Sequence, residues 1–155
     1  MTATATVSPD LSDDAKAMIS KLEAAWGASD KVKKEKSLRI TILSKNLKVL
    51  WFTQVDGTPG MMAKVAVSKA RSYFAGKSMD DPSGMNLMCC YFCPWMCGCT
   101  NHMPVQGVIP FELAGTDAAC LVVCGAPQGS TDLSIANEVT NAANGGAPDS
   151  AAIER

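Results

Sequence analysis

The stretch LRITILSKNLKVLWFT, residues 38–53, decides the fold. Leu38, Ile40 and Ile42 alternate with Arg39 and Thr41, the two-residue period of a strand. Ser44, Lys45 and Asn46 are a short polar break. Leu47 to Thr53 is then a second run rich in apolar and aromatic residues. Two such runs with a short polar turn between them predict an antiparallel hairpin. Asp56-Gly57 and Pro59-Gly60 follow it as turn signals.

Helical spacing flanks this hairpin. Leu11, Ala15, Met18, Ile19 and Leu22 predict a first helix, capped by Asp10 or Ser12, running to about Ala25 and closed by Trp26-Gly27. The charged stretch up to Lys36 reads as a connector. Met61–Ala75 predicts a second helix, with Met62, Val65, Ala66, Ala70, Tyr73 and Phe74 near one face and Gly76 as its stop. Val105–Phe111 and Ala118–Val123 read as two more strands, and Pro110 places the first at a sheet edge or strand end. Ser130 or Thr131 is the expected cap of a third helix through about Ala143. The predicted class is α+β: an antiparallel sheet of about five strands with helices packed on it, in the order α-β-β-α-loop-β-β-α. One domain is expected over residues 11–144, with a flexible arm at 1–10, a flexible tail at 145–155 and a Cys/Met-rich insertion loop at 77–104.

Composition sets the outer bounds. The chain has 155 residues, 47% apolar and 19% charged, which suits one soluble domain with a real core. No apolar run approaches the ~18 residues of a membrane span. The start MTATATVSPDLSDD lacks a basic region and an apolar stretch, so no secretory signal is expected. Seven cysteines then imply a reducing compartment, cytoplasmic or an organelle interior, without structural disulfides. Residues 1–77 carry thirteen of the fourteen Lys and Arg against seven acids, about +6; residues 78–155 carry one Arg against eight acids, about −7. The basic run Lys31–Lys36 includes Glu35 and no aromatics. It reads as a solvated loop, and no nucleic-acid partner is expected.

The chemistry concentrates in MCCYFCPWMCGCTNH, residues 88–102. Cys89, Cys90, Cys93, Cys97, Cys99 and His102 are thiol and imidazole donors, and His102 is the only histidine in the chain. Met88, Met96 and Met103 add thioethers. Such donors bind zinc, copper(I), iron–sulfur clusters or haem iron. Cys90, Cys93, Cys97, Cys99 and His102 are the candidate ligands for zinc or iron, although their spacing is not that of a standard zinc module. Reduced cysteines are also small apolar residues. With Leu87, Tyr91, Phe92, Pro94 and Trp95 they could equally form an apolar plug, and a thiol redox role stays open. Cys120 and Cys124, in the apolar run ACLVVCG, read as buried thiols apart from this cluster.

The order of elements, with Val55-Asp56-Gly57, Lys69-Ala70-Arg71, Gly107-Val108-Ile109-Pro110, Leu121–Gly125, Gly129-Ser130, Asp132 and Ile135-Ala136, resembles the GlcG/HbpS-like family of DUF336, or haem-binding, domains. The resemblance covers about residues 11–144 and rests on the ordered set rather than on one motif. The chain departs from the pattern at Pro104–Gly107, where the family has a glycine run, at Cys120–Gly125, and in the cysteine-rich loop itself. Each shared feature also has a plain structural role: Asp56-Gly57 in a turn, Gly107 in a close backbone approach, and Lys69 either reaching a sheet end or a carboxylate or, as the favoured reading, solvated.

The resemblance implies haem or another tetrapyrrole as ligand and a compact oligomer. His102, Met103 or Cys99 are then the candidate iron donors, with Trp95 and Phe92 against the macrocycle. The expected function is a non-catalytic binding module. The alternatives are a structural or accessory subunit that buries residues 85–104 against a protein partner or its own copies, and a thiol redox or metal-site protein. A homo-oligomer or a larger assembly follows from either leading reading. No paired carboxylate, nucleotide loop or Ser-His-Asp set marks a catalytic residue.

Overall fold

The computed structural model describes residues 6–7, 10–76 and 107–145. In chain order the elements are β1 (Thr6–Val7), α1 (Asp13–Ala28), α2 (Asp30–Lys33), β2 (Arg39–Ser44), β3 (Val49–Gln54), α3 (Met61–Phe74), β4 (Val108–Pro110), β5 (Ala118–Cys124) and α4 (Gly129–Ala143). The strands form one five-stranded sheet in the order β1-β3-β2-β5-β4, and every pairing is antiparallel.

The hairpin of β2 and β3 is the centre of this sheet. Its turn is held locally: the Ser44 carbonyl accepts from the Leu47 N–H at 2.9 Å, and the Ser44 hydroxyl oxygen accepts from the Lys48 N–H at 3.1 Å. Leu47 sits at φ 65, the left-handed conformation that closes the turn. Both strands therefore begin and end one to two residues later than the alternation alone predicts. Asp56-Gly57 is the expected turn, with Gly57 at φ 86. Pro110 is the last residue of the edge strand β4, where its missing N–H removes no interior ladder bond.

All six residues of β2 are buried, because helices cover both faces of the sheet. On one face Ile40, Ile42, Trp51, Leu121 and Val123 pack against Ile19, Leu22 and Trp26 of α1 and Ile135, Ala136 and Val139 of α4. On the other face Leu43, Cys120, Val122, Cys124 and Val108 pack against Val65, Ala66 and Ala70 of α3. Each fully buried Leu, Ile or Val contributes roughly 1.5–3 kcal/mol relative to exposure. The sheet is thus a middle layer between apolar helix faces.

Several local expectations need correction. Trp26-Gly27 does not close α1. Trp26 is 1% exposed, and its burial in the core carries the helix through to Ala28. Ser12 is the cap, its Oγ accepting from the Ala15 N–H at 3.2 Å, with Asp13 and Asp14 beside the positive helix end. The connector up to Lys36 contains the short helix α2, capped by Ser29. Neither Ser130 nor Thr131 caps α4: both lie inside its first turn, behind Gln128. The arm at residues 1–10 contributes β1, which pairs Thr6 with Phe52 and Val7 with Trp51. Among the described residues no helix is long and apolar enough to cross a membrane.

Candidate functional site

All the ligand candidates named from the sequence, Cys90, Phe92, Cys93, Trp95, Cys97, Cys99, His102 and Met103, lie outside the described residues, as does the insertion loop. The described residues hold no group of three or more His, Cys, Asp or Glu able to bind a metal. What they do hold is a buried charged cluster at one end of the sheet.

Its core is an ion pair between two layers. Lys69 of α3 reaches Asp132 of α4, Nζ to Oδ2 at 3.3 Å, with the two side chains only 12% and 3% exposed. The helices lie on opposite faces, so the pair passes the sheet end where β5 finishes and β4 begins. Two glycines allow close backbone approaches at this sheet end, Gly107 beside Asp132 and Gly125 beside Ser37. A Cβ on Gly107, at φ +90, would stand 2.3 Å from the Val123 carbonyl oxygen and 2.9 Å from the Asp132 Cβ. A Cβ on Gly125, at φ +118, would stand 2.8 Å from the Ser37 carbonyl oxygen. Asp132 Oδ1 accepts from the Ala126 N–H at 3.1 Å, which fixes the turn leading into α4. Lys69 is thus a buried partner and not the solvated lysine expected from the sequence.

Cys124 and Arg39 complete the cluster. They are register partners on β5 and β2, so their side chains share the α3 face. Cys124 Sγ donates to the Met62 carbonyl of α3 at 3.6 Å. The Arg39 guanidinium stacks on the Phe52 ring, 3.8 Å from its centroid. Its Nε donates to Thr41 Oγ1 at 3.1 Å and its Nη1 to Gln54 Oε1 at 3.2 Å.

Burial governs the acid–base behaviour here. It pushes the Cys124 thiol up to about 12; Asp132 adds to that rise, while Lys69 and Arg39 oppose it. It pushes Cys120 to about 12 as well. Both thiols are therefore protonated and poor nucleophiles at neutral pH. Burial also raises the Asp132 carboxyl to about 6, with Glu35 acting in the same direction; Lys69 and the Ala126 N–H pull against it. Arg39 is lowered by burial but keeps its charge. The cluster is suited to holding charge in a fixed place and not to thiol attack.

The sequence marked Lys69 and Asp132 as family-type residues without indicating that they pair. Arg39 read only as the polar half of an alternating strand.

No protein-family model matches the chain, and no curated protein is similar to it. Solved structures are. The protein Ybr137w superposes with TM-score 0.55 at 16% identity, over 86% of this chain and 82% of that one. The protein ORFY of Klebsiella pneumoniae, of family DUF336, superposes with TM-score 0.50 at 12% identity, over 84% and 88%. HbpS aligns with TM-score 0.49 at 21% identity, over 86% and 90%. The hairpin-centred antiparallel sheet with helices on both faces, matched over most of both chains, gives this protein the fold seen in Ybr137w and in the DUF336 protein ORFY.

Proposed function

We propose that this chain is a non-catalytic binding module for haem or a related iron tetrapyrrole. The carrying observation is the division of its sulfur chemistry. The two framework thiols, Cys120 and Cys124, are buried and protonated. The donors left for a ligand are those of residues 88–103, a stretch with five cysteines, three methionines and the single histidine.

The described residues on either side of that stretch share one apolar cluster. Tyr73 and Phe74, at the end of α3, and Val108, at the start of β4, belong to the same apolar cluster. The chain therefore leaves and rejoins the core around one buried face.

The donor set fits a tetrapyrrole iron. His102, Met103 and Cys99 are the residue types that serve as axial ligands, and Trp95 and Phe92 are suited to covering an apolar ring. When bound, the iron would supply ligand-binding or one-electron chemistry; the protein's part is to hold and orient it. Cys90, Cys93, Cys97, Cys99 and His102 could instead hold zinc or iron directly, and mixing experiments separate the two.

The test is titration of purified, reduced protein with ferric haem, followed by absorbance. A saturable Soret shift, lost in His102→Ala or Cys99→Ala while the fold persists, supports the reading. An unshifted haem spectrum at micromolar protein rejects it. Light scattering on the same samples tests the competing role of residues 85–104 as a contact surface, which requires a stable oligomer without haem.

A further inference from the structure

We propose that Arg39 is the receptor of a small binding site for a carboxylate monoanion, on the sheet face shared with α3. The argument starts from its charge. Arg39 is 7% exposed, yet no carboxylate pairs with it among the described residues. Its Nε and Nη1 donate to the neutral oxygens of Thr41 and Gln54. Buried cations are normally paired with an acid, because desolvation of an uncompensated charge is costly.

The neighbourhood does not supply the missing charge. The charged groups felt at the Cys124 thiol are Lys69, Asp132 and Arg39. Asp132 is already engaged by Lys69 at 3.3 Å. Glu35 bears on Asp132 and not on Arg39, so among the described residues no carboxylate is set against the Arg39 charge, which matches a singly charged ligand.

The geometry is that of a prepared receptor. Phe52 holds the guanidinium plane from one side at 3.8 Å. Thr41 and Gln54 fix its rotation by taking Nε and one proton of Nη1. Among the described residues no partner takes Nη2, so its N–H groups, with the second proton of Nη1, are left for the two oxygens of a carboxylate. Phe52 and Gln54 are only half-buried, so the ring and the amide beside the guanidinium are reachable from solvent. The half-exposed Phe52 ring favours an acid with an apolar body. A propionate arm of a tetrapyrrole and a free organic acid share this chemistry. The site does not depend on the tetrapyrrole reading.

The probe is sodium benzoate, with benzamide as the neutral control of the same shape. The readout is the Nε–Hε signal of Arg39 in ¹H–¹⁵N spectra of the whole protein, identified by its loss in Arg39→Lys. Benzoate should shift the signal saturably and benzamide should not. Isothermal titration should show benzoate binding weakened about tenfold or more in Arg39→Lys, because lysine cannot reproduce the fork. Phe52→Leu keeps the charge and should weaken binding less. An Arg39 signal indifferent to benzoate, or equally moved by benzamide, overturns the proposal. To separate the two sources, ferric mesoporphyrin is compared with its dimethyl ester: weaker ester binding in the wild type, abolished as a difference in Arg39→Lys, assigns the propionate. Benzoate binding without that difference assigns a free acid.

Discussion

Gly107→Ala should be among the most damaging single-methyl additions in this protein. Gly107 sits at φ +90 where the chain enters β4, and its carbonyl accepts from the Val123 N–H at 2.9 Å. An alanine there meets two separate penalties. The backbone conformation alone costs about 1–2 kcal/mol for a residue with a Cβ. The new Cβ would also stand 2.3 Å from the Val123 carbonyl oxygen and 2.9 Å from the Asp132 Cβ. Neither neighbour is the loose end of a flexible side chain: one is sheet backbone, and the other is pinned by Lys69 and Ala126. Relief requires β4 to move off β5, an overpacking cost of about 1–3 kcal/mol. The strained Val123-to-Gly107 hydrogen bond adds about 1 kcal/mol. The total is about 3–6 kcal/mol, a large share of the ~5–15 kcal/mol typical of a domain.

The assay is urea unfolding followed by tryptophan fluorescence, with Gly57→Ala as the control. Gly57 has nearly the same backbone angle, φ +86, but an added Cβ meets nothing within 4 Å. It should show only the backbone cost. With a slope of about 1–3 kcal/mol/M, the Gly107 variant should lose about 2 M in midpoint, or unfold outright, and the Gly57 variant well under half as much. Equal losses in the two variants would refute the close approach at the sheet end.

Three further outcomes follow from the same geometry. Leu121→Ala removes a fully buried side chain opposite Ile42 and Ile109 and should cost about 2–5 kcal/mol, read from thermal or urea unfolding. Cys120 and Cys124 should resist alkylation of the native protein even at pH 9, because burial pushes both thiols to about 12, and should react at once in urea; peptide mapping by mass spectrometry distinguishes them from the other cysteines. The Asp132 carboxyl should titrate at about 6, seen by ¹³C NMR, against an ordinary value of 3.8. Since its folded value is the higher one, the native state binds this proton more tightly. Its contribution is full below about pH 4 and is lost as pH rises through 6, so Asp132→Asn should flatten that part of the stability profile.

The architecture was legible where physics is local. The period-two pattern of residues 38–42, the Asp56-Gly57 turn, the helical spacing of Met61–Phe74 and the edge position of Pro110 all follow from near neighbours. Errors arose where tertiary packing overrides them. Gly27 is a poor helix residue, yet the buried Trp26 carries α1 past it. Ser130 and Thr131 do not cap α4, because the helix starts ahead of them, behind Gln128. Pairing of Lys69 with Asp132 joins residues 63 positions apart, and no local pattern encodes such a contact. The same holds for Arg39, whose importance lies in what surrounds it. The soft-donor stretch is the opposite case: its chemistry is plain from composition, and its arrangement is not.

Native mass spectrometry of the reduced protein, after haem incubation and desalting, tests the central claim most directly. The account predicts one added ferric tetrapyrrole per chain, absent in a folded His102→Ala, Cys99→Ala double variant. Chains that keep their apo mass, or carry only zinc, would contradict it.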